Sequence, residues 1–334
     1  MVKVIVTGAD GYIAGHTIHQ LVNLGHSVVG TCRLQKSARI CKKHFANFDY
    51  VVIPSFIQEN VFDDVVRTNP DAEVFIHIAS PVFLESGNTK RDLIDPIILG
   101  TENALKAAHK FGTIKHFVYT SSIAAVYNTT NFNPGEVFTE QLWNNVTLEE
   151  AMRSSTQAYG GSKTFAERAA WKYVKQNRPQ FTLTVVNPVY VFGPQKFDED
   201  ARGRLKNSAG IIEHILSLRK GDPIAEFEGY AVDVRDVAKV LIAAFENPKT
   251  YGKRLIASSE FSNGQVILDL IKKNFPHTEE LLPIGEPGSQ YLAATQCAVV
   301  DNLATTSLLG IKWISLEDMV VDTVEQLLNE NSDL

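Results

Sequence analysis

The stretch KVIVTGADGYIA, Lys3–Ala14, carries the reading of the fold. A short apolar strand pattern runs into Gly8 and Gly11, and a helical pattern opens at Tyr12. Continuously apolar strands belong to parallel sheets buried on both faces. Glycines at such a junction let the backbone turn tightly and approach a pyrophosphate. Its charge is met by the free N–H groups of the helix N-terminus. The spacing is Gly8-x-x-Gly11-x-x-Ala14, with alanine as the third small residue. Strand before and helix after mark a dinucleotide-binding junction, which offers Gly8, Ala9, Asp10, Gly11, Tyr12 and Ile13.

Outward from this junction, β-branched runs alternate with helical stretches, the pattern of a parallel sheet covered on both sides. Strands are predicted at Lys3–Thr7, Ser27–Cys32, Tyr50–Ile53, Val74–His77, Phe117–Thr120 and Thr182–Asn187. Helices are predicted at Tyr12–Leu24, from Gln35, at Val61–Arg67, Leu93–Phe111 and Ala158–Lys175. After Asn187 the punctuated segment NPVYVFGP reads as a loop, and the remainder is more helical. Helices are expected at Ser208–Leu218, Val234–Phe245, Asn263–Lys273 and Leu316–Asn329. The expected class is α/β: a Rossmann-type doubly wound sheet with a smaller, mostly helical C-terminal substrate domain. The boundary falls near residue 187, dividing 1–187 from 188–334. It is not clean, because a segment near 234–260, with a strand at Arg254–Ser258, can return to the first domain.

At 334 residues the chain is long enough for two domains and needs no disulfide staples. Net charge is −6, which argues against nucleic acid or an anionic membrane as the main partner. Three cysteines cannot all pair within one chain, no signal-peptide pattern opens it, and no run approaches a membrane span. A soluble cytoplasmic protein, monomer or homodimer, is expected. The nine histidines show no metal-ligand spacing, so no metal is expected.

The second predicted strand ends in GTCRLQKS, Gly30–Ser37. Sites that prefer NAD offer an acid here to the ribose 2′-hydroxyl, whereas an arginine accommodates the 2′-phosphate of NADP. No acid is present; Arg33 is, with Lys36 or Ser37 beside it. NADPH/NADP is therefore the expected cofactor. Tyr159 and Lys163 lie four residues apart in a predicted helix, on one face. A tyrosine is a poor acid or base near neutrality unless its phenolate is stabilised, and a lysine one turn away supplies that charge. Ser121-Ser122 follow the predicted strand Phe117–Thr120, at the end of the sheet where α/β sites assemble. A serine hydroxyl there can bond a carbonyl oxygen and sharpen the charge that hydride transfer creates.

TGADGYIA, HIASP, YTSS, YGGSK, NPVYVFGPQ and DVRDVA, in this order, resemble the motifs of extended short-chain dehydrogenase/reductases. Within them the chain resembles the dihydroflavonol reductase-like branch and its fungal NADPH-dependent methylglyoxal and isovaleraldehyde reductases. The similarity runs from residue 2 to about 330. It implies a Ser–Tyr–Lys triad at Ser122, Tyr159 and Lys163, acting on a small carbonyl substrate. It also implies nucleotide contacts at Gly8 to Ile13, Arg33, Lys36 or Ser37, Ser55, Phe56, Ala79, Val191 and Ser208, with Tyr159 and Lys163 touching the cofactor. Ser55 stands where relatives carry an acid, and Ile123 where an aromatic is expected after the catalytic serine.

Val82, Phe83, Ile123 and Tyr127 are candidates for the substrate pocket wall, with Phe132 and Phe192 nearby in sequence. Asp233 reads as a helix N-cap and so as architectural. Two other functions compete with carbonyl reduction. A nucleotide-sugar epimerase or dehydratase needs basic groups for a diphosphate, and Arg202, Arg204 and Arg219 are available. A non-catalytic NADP-binding sensor has no need of Ser122, Tyr159 and Lys163 together.

Overall fold

The computed structural model describes residues 1–80, 89–205, 208–224 and 227–331. The first half runs β1 (Lys3–Thr7), α1 (Tyr12–Asn23), β2 (Ser27–Cys32), α2 (Gln35–His44), β3 (Phe48–Val52), α3 (Asp63–Arg67) and β4 (Ala72–His77). It continues with α4 (Asp95–Lys110), β5 (His116–Thr120), β6 (Val137–Phe138), α5 (Leu148–Ala151), α6 (Ser155–Asn177) and β7 (Thr182–Pro188). The second half contains β8 (Tyr190–Phe192), α7 (Ala209–Ser217), β9 (Glu228–Asp233), α8 (Val234–Glu246), β10 (Arg254–Ala257) and β11 (Phe261–Asn263). It closes with α9 (Gly264–Asn274), α10 (Ser289–Gln296), β12 (Val299–Val300), α11 (Leu303–Leu309) and α12 (Leu316–Glu330).

Seven strands form a parallel sheet in the order β10-β7-β5-β4-β1-β2-β3. The chain order reverses between β1 and β4, and such a reversal opens a crevice at the carboxyl ends of the strands. Successive side chains of β1 serve opposite faces. Val4 and Val6 pack with Ala14 and Ile18 of α1 and Leu241 of α8, while Ile5 packs with Phe75, Phe117, Leu105 and Ala166. The first face thus needs a helix from the second half of the chain, α8, tied on where Gln20 Nε2 donates to the Arg235 carbonyl at 2.9 Å. A separate core, including Phe192, Ile212, Ile267 and Met319, joins β8 to α7, α9 and α12.

Several elements differ from expectation for identifiable reasons. The third strand begins at Phe48, because its pairing with Val28 carries that ring into the core. Helix α4 starts at Asp95 with a proline in its first turn, preceded by a π-helical turn at Lys90–Ile94. NPVYVFGP contains the end of β7 and all of β8, which pairs with β9. The C-terminal part therefore holds a three-stranded sheet, β11-β9-β8, besides its helices. Strands of two or three residues exist through long-range pairing, and so short a run shows no legible period. Among the described residues no helix is long and apolar enough to cross a membrane.

Candidate active site

The glycine loop is held from two sides. Gly8 has φ +68°, a backbone conformation that L side chains rarely adopt. A Cβ there would lie 3.1 Å from Ala79 Cα. Ala79 approaches so closely because Thr7 Oγ1 accepts from both Ile78 N and Ala79 N at 3.0 Å. With its lone pairs engaged, that hydroxyl donates to His77 Nδ1 at 2.9 Å. Burial, helped by the nearby charge of Lys163, lowers the His77 pKa to about 3, so the ring stays neutral. At the start of α1, Gly11 is the N-cap and supplies no side chain to the first N–H groups. Those donors face the mouth of the loop, which is the cradle a pyrophosphate requires. Tyr12 anchors the helix by donating its hydroxyl to the Gly193 carbonyl at 2.7 Å.

Arg33 and Lys36 lie exposed just past β2 and in the first turn of α2, and neither forms an ion pair among the described residues. Cys32 and Cys41 are buried nearby, and the Cys41 thiol donates to the Ala9 carbonyl at 3.6 Å. Ser55 is half-buried in the loop after β3. The Phe56 ring packs on α4, where a Cβ at Gly100 would come within 2.3 Å of it. Asn103 Nδ2 fastens the same loop by donating to the Phe56 and Gln58 carbonyls at 3.1 and 2.9 Å. Val191 and Ser208 bond each other: Ser208 Oγ donates to the Val191 carbonyl at 2.7 Å and accepts from its N–H at 3.2 Å.

Ser154 caps α6, accepting from Gln157 N at 3.2 Å, and the helix carries Tyr159 and Lys163 to the end of β5. Ser122 faces Tyr159 closely enough to draw its pKa down, and Lys163 Nζ lies 5.9 Å from the centre of the tyrosine ring. Ser122 Oγ also accepts from Ala124 N at 3.2 Å, capping the short turn that follows. Ser121 turns the other way and donates to Glu167 Oε2 at 2.6 Å. The expected lowering of the tyrosine pKa by the lysine is reversed in this geometry. Burial pushes Tyr159 above the ordinary phenol value, and the neighbouring Ser122 hydroxyl only partly opposes this. Burial also brings Lys163 down to about 8, against an upward pull from Glu167.

The structure thus brings Gly8–Ile13, Ala79, Ser122, Tyr159 and Lys163 to one end of the sheet, with Arg33 and Lys36 at its β2 side. Ile123 is buried directly after the serine. Tyr127 is also buried, its ring stacked 4.4 Å from Phe138. Phe192, another candidate for the pocket wall, is fully buried in the separate C-terminal core. Val82 and Phe83 lie outside the described residues. Asp233 caps α8 as expected, accepting from Arg235 N at 2.7 Å. Sequence reading passed over Thr7, His77, Glu167 and Arg254. Only Glu167 left a readable signal, a charged residue one helical turn beyond Lys163 on the same face.

The chain belongs to the NAD dependent epimerase/dehydratase family, whose model matches residues 4–256. It is an extended short-chain dehydrogenase/reductase. Similar along its whole length are two yeast proteins. A putative NADPH-dependent methylglyoxal reductase of Candida albicans is 39% identical, over 97% of this chain and 98% of the relative. The NADPH-dependent methylglyoxal reductase of Saccharomyces cerevisiae is 36% identical, over 98% of each. A crystal structure of yeast methylglyoxal/isovaleraldehyde reductase complexed with NADPH matches the fold with a TM-score of 0.96, at 35% identity and 100% coverage of both chains.

Proposed function

We propose that this chain is an NADPH-dependent carbonyl reductase that turns aldehydes and ketones into alcohols. The observation that carries the reading is the placement of Ser122 and Lys163 against Tyr159, with Lys163 Nζ 5.9 Å from the tyrosine ring centre, beside a glycine cradle. The cradle suits a dinucleotide: a Cβ would crowd it at Gly8, the first N–H groups of α1 are uncapped, and Arg33 and Lys36 are without ion-pair partners among the described residues. Gly8–Ile13 and Ala79 hold the pyrophosphate region, Ser55 and Phe56 the adenine side, Val191 and Ser208 the far side, and Arg33 with Lys36 the 2′-phosphate. NADPH bound there supplies the hydride.

Tyr159 donates its proton to the carbonyl oxygen, and its raised pKa keeps that proton available across the neutral range. Ser122 orients the same oxygen through a hydrogen bond, the role of a donor aimed at developing negative charge. Lys163 supplies positive charge beneath the phenolate that remains and holds the nucleotide ribose. Residues 1–187 with the 234–260 segment form the nucleotide-binding domain, and the rest of 188–334 closes over a small substrate. The two yeast relatives support this substrate class by what their names state. We place the enzyme in the cytoplasm, as monomer or homodimer.

The test is loss of reduced-nicotinamide absorbance with purified protein, NADPH and a panel including methylglyoxal, isovaleraldehyde, diketones and aryl ketones. Turnover of at least one of these is expected. Inertness toward all of them, with NADPH bound, would overturn the reading in favour of a non-catalytic sensor.

A further inference from the structure

Below the Tyr159–Lys163 pair lies a buried charge cluster with no assigned part in the chemistry. Glu167 is fully buried one turn beyond Lys163. Its Oε1 accepts from Arg254 Nε at 2.6 Å and Trp171 Nε1 at 3.2 Å. Its Oε2 accepts from Ser121 Oγ at 2.6 Å and Asn187 Nδ2 at 2.8 Å. Asn187 Nδ2 also donates to the Ser122 carbonyl at 3.0 Å. Arg254 continues to the carbonyls of Glu140, Leu142 and Ala125, and its guanidinium lies 4.1 Å over the Trp143 ring. One carboxylate therefore joins α6, the end of β5, β7 and β10.

We propose that Glu167 is a positioning residue of the reductase: it aligns the Ser122 backbone against α6 and sustains the positive charge of Lys163 through space. The proposal rests on the reading of Ser122, Tyr159 and Lys163 given above. A tie that only packed these elements together could be apolar, since a buried ion pair is costly to desolvate and contributes little net stability. Lys163 makes no ion pair among the described residues, so its charge depends on what stands near it. From β4 it lies near His77, which is neutral, while Tyr119 of β5, whose phenol burial pushes up, stands near Glu167 and Tyr159. On its own helix stand Tyr159 and Glu167, with Arg254 of β10 behind the carboxylate. Charged groups on and beside α4 and α5 are paired at the surface, Asp95 with Lys90, Lys106 with Glu102, Lys110 with Asp63 and Arg153 with Glu149. Glu167 is thus the anion that opposes the burial of Lys163.

A neighbouring opposite charge typically displaces a pKa by about 1–3 units. Removing this one lets the Lys163 proton leave at lower pH, so the alkaline loss of activity begins earlier. The experiment is kcat and kcat/KM for NADPH with isovaleraldehyde, from about pH 5 to about pH 10. It uses the wild type, Glu167→Gln, Glu167→Asp and the double variant Glu167→Gln/Arg254→Met. The alkaline limb is expected to fall by roughly 1–3 pH units in Glu167→Gln. Glu167→Asp, which keeps the charge but not the reach, should hold the wild-type limb with a lower kcat. The double variant removes both charges together, so it leaves no unpaired ion and decides the matter if Glu167→Gln does not fold. A wild-type limb in the foldable charge-removing variants, or an equal displacement in Glu167→Asp, overturns the proposal. Full turnover by Tyr159→Phe would instead overturn the underlying site. A dead Tyr159→Phe beside an unmoved limb would sink only the role of Glu167.

Discussion

The Ser121 hydroxyl donates to Glu167 Oε2 at 2.6 Å, while the next residue, Ser122, faces Tyr159. The two serines continue the extended backbone past β5, where consecutive residues face opposite sides, so one serine is engaged by the core and the other meets the substrate end of the site. Ser122→Ala should lower kcat by about 10²-fold or more, the usual cost of losing one donor aimed at a developing oxyanion. Ser121→Ala should keep kcat within about tenfold but lower stability by roughly 1–3 kcal/mol, because a buried hydrogen bond to a charged group is lost. Steady-state kinetics and denaturant unfolding of the two variants measure this directly. The reverse ranking of kcat would move the catalytic serine by one residue.

Tyr159→Phe removes the proton and little else. A positioned proton transfer contributes about 10²–10⁴-fold, so kcat should fall by that factor while NADPH affinity stays the same. Titration of nucleotide fluorescence alongside turnover separates the two. Turnover at the wild-type rate would exclude the phenol from the mechanism.

Arg33 is exposed and without an ion-pair partner among the described residues, and no acid stands beside it at the end of β2. A charge-assisted hydrogen bond to a phosphate contributes about 1.5–3 kcal/mol, or one to two powers of ten in affinity. NADPH should therefore exceed NADH by at least about tenfold in kcat/KM. Arg33→Ala should remove most of that preference by weakening NADPH alone. Because the site is at the surface, added salt should narrow the gap as well. Equal use of both nucleotides by the wild type would leave Arg33 a solvated residue.

Gly8 combines φ +68° with a Cβ direction that ends 3.1 Å from Ala79 Cα. The left-handed conformation costs a non-glycine residue about 1–2 kcal/mol before any clash. Gly8→Ala should thus lower thermal stability and, by moving Ala79, weaken NADPH binding. Calorimetry with and without nucleotide would reveal both. A variant that binds NADPH as tightly as the wild type would mean that the backbone at Gly8 does not contact it.

Burial brings the Lys163 pKa to about 8, below its ordinary value. The cation is the useful form, so its contribution is present below that pH and is lost as pH rises through it. At saturating aldehyde, kcat/KM for NADPH reports the free enzyme and should decline above about pH 8. A flat profile from neutral pH to about pH 10 would show that the lysine charge does not limit the reaction.

The parallel sheet, its glycine loop and the Ser–Tyr–Lys spacing were legible in the sequence because each rests on local chemistry. KVIVT shows its burial in its composition, Gly8 and Gly11 mark the turn, and Tyr159 and Lys163 share a face through the helical repeat. The match of the family model to residues 4–256 bears out the resemblance those motifs carried. Other features exist only once distant segments meet. The Thr7–His77 clasp joins β1 to β4, and the Glu167–Arg254 pair spans α6 and β10. Neither follows any short-range period, because what creates them is strand order and the burial that strand order imposes. For the same reason tertiary structure alone decided which way the Tyr159 pKa moves and what holds Ser121, while the choice of Ser122 had already been implied by the family resemblance. A strand's alternation offers two faces, and only the packed neighbours make one the core and the other the site.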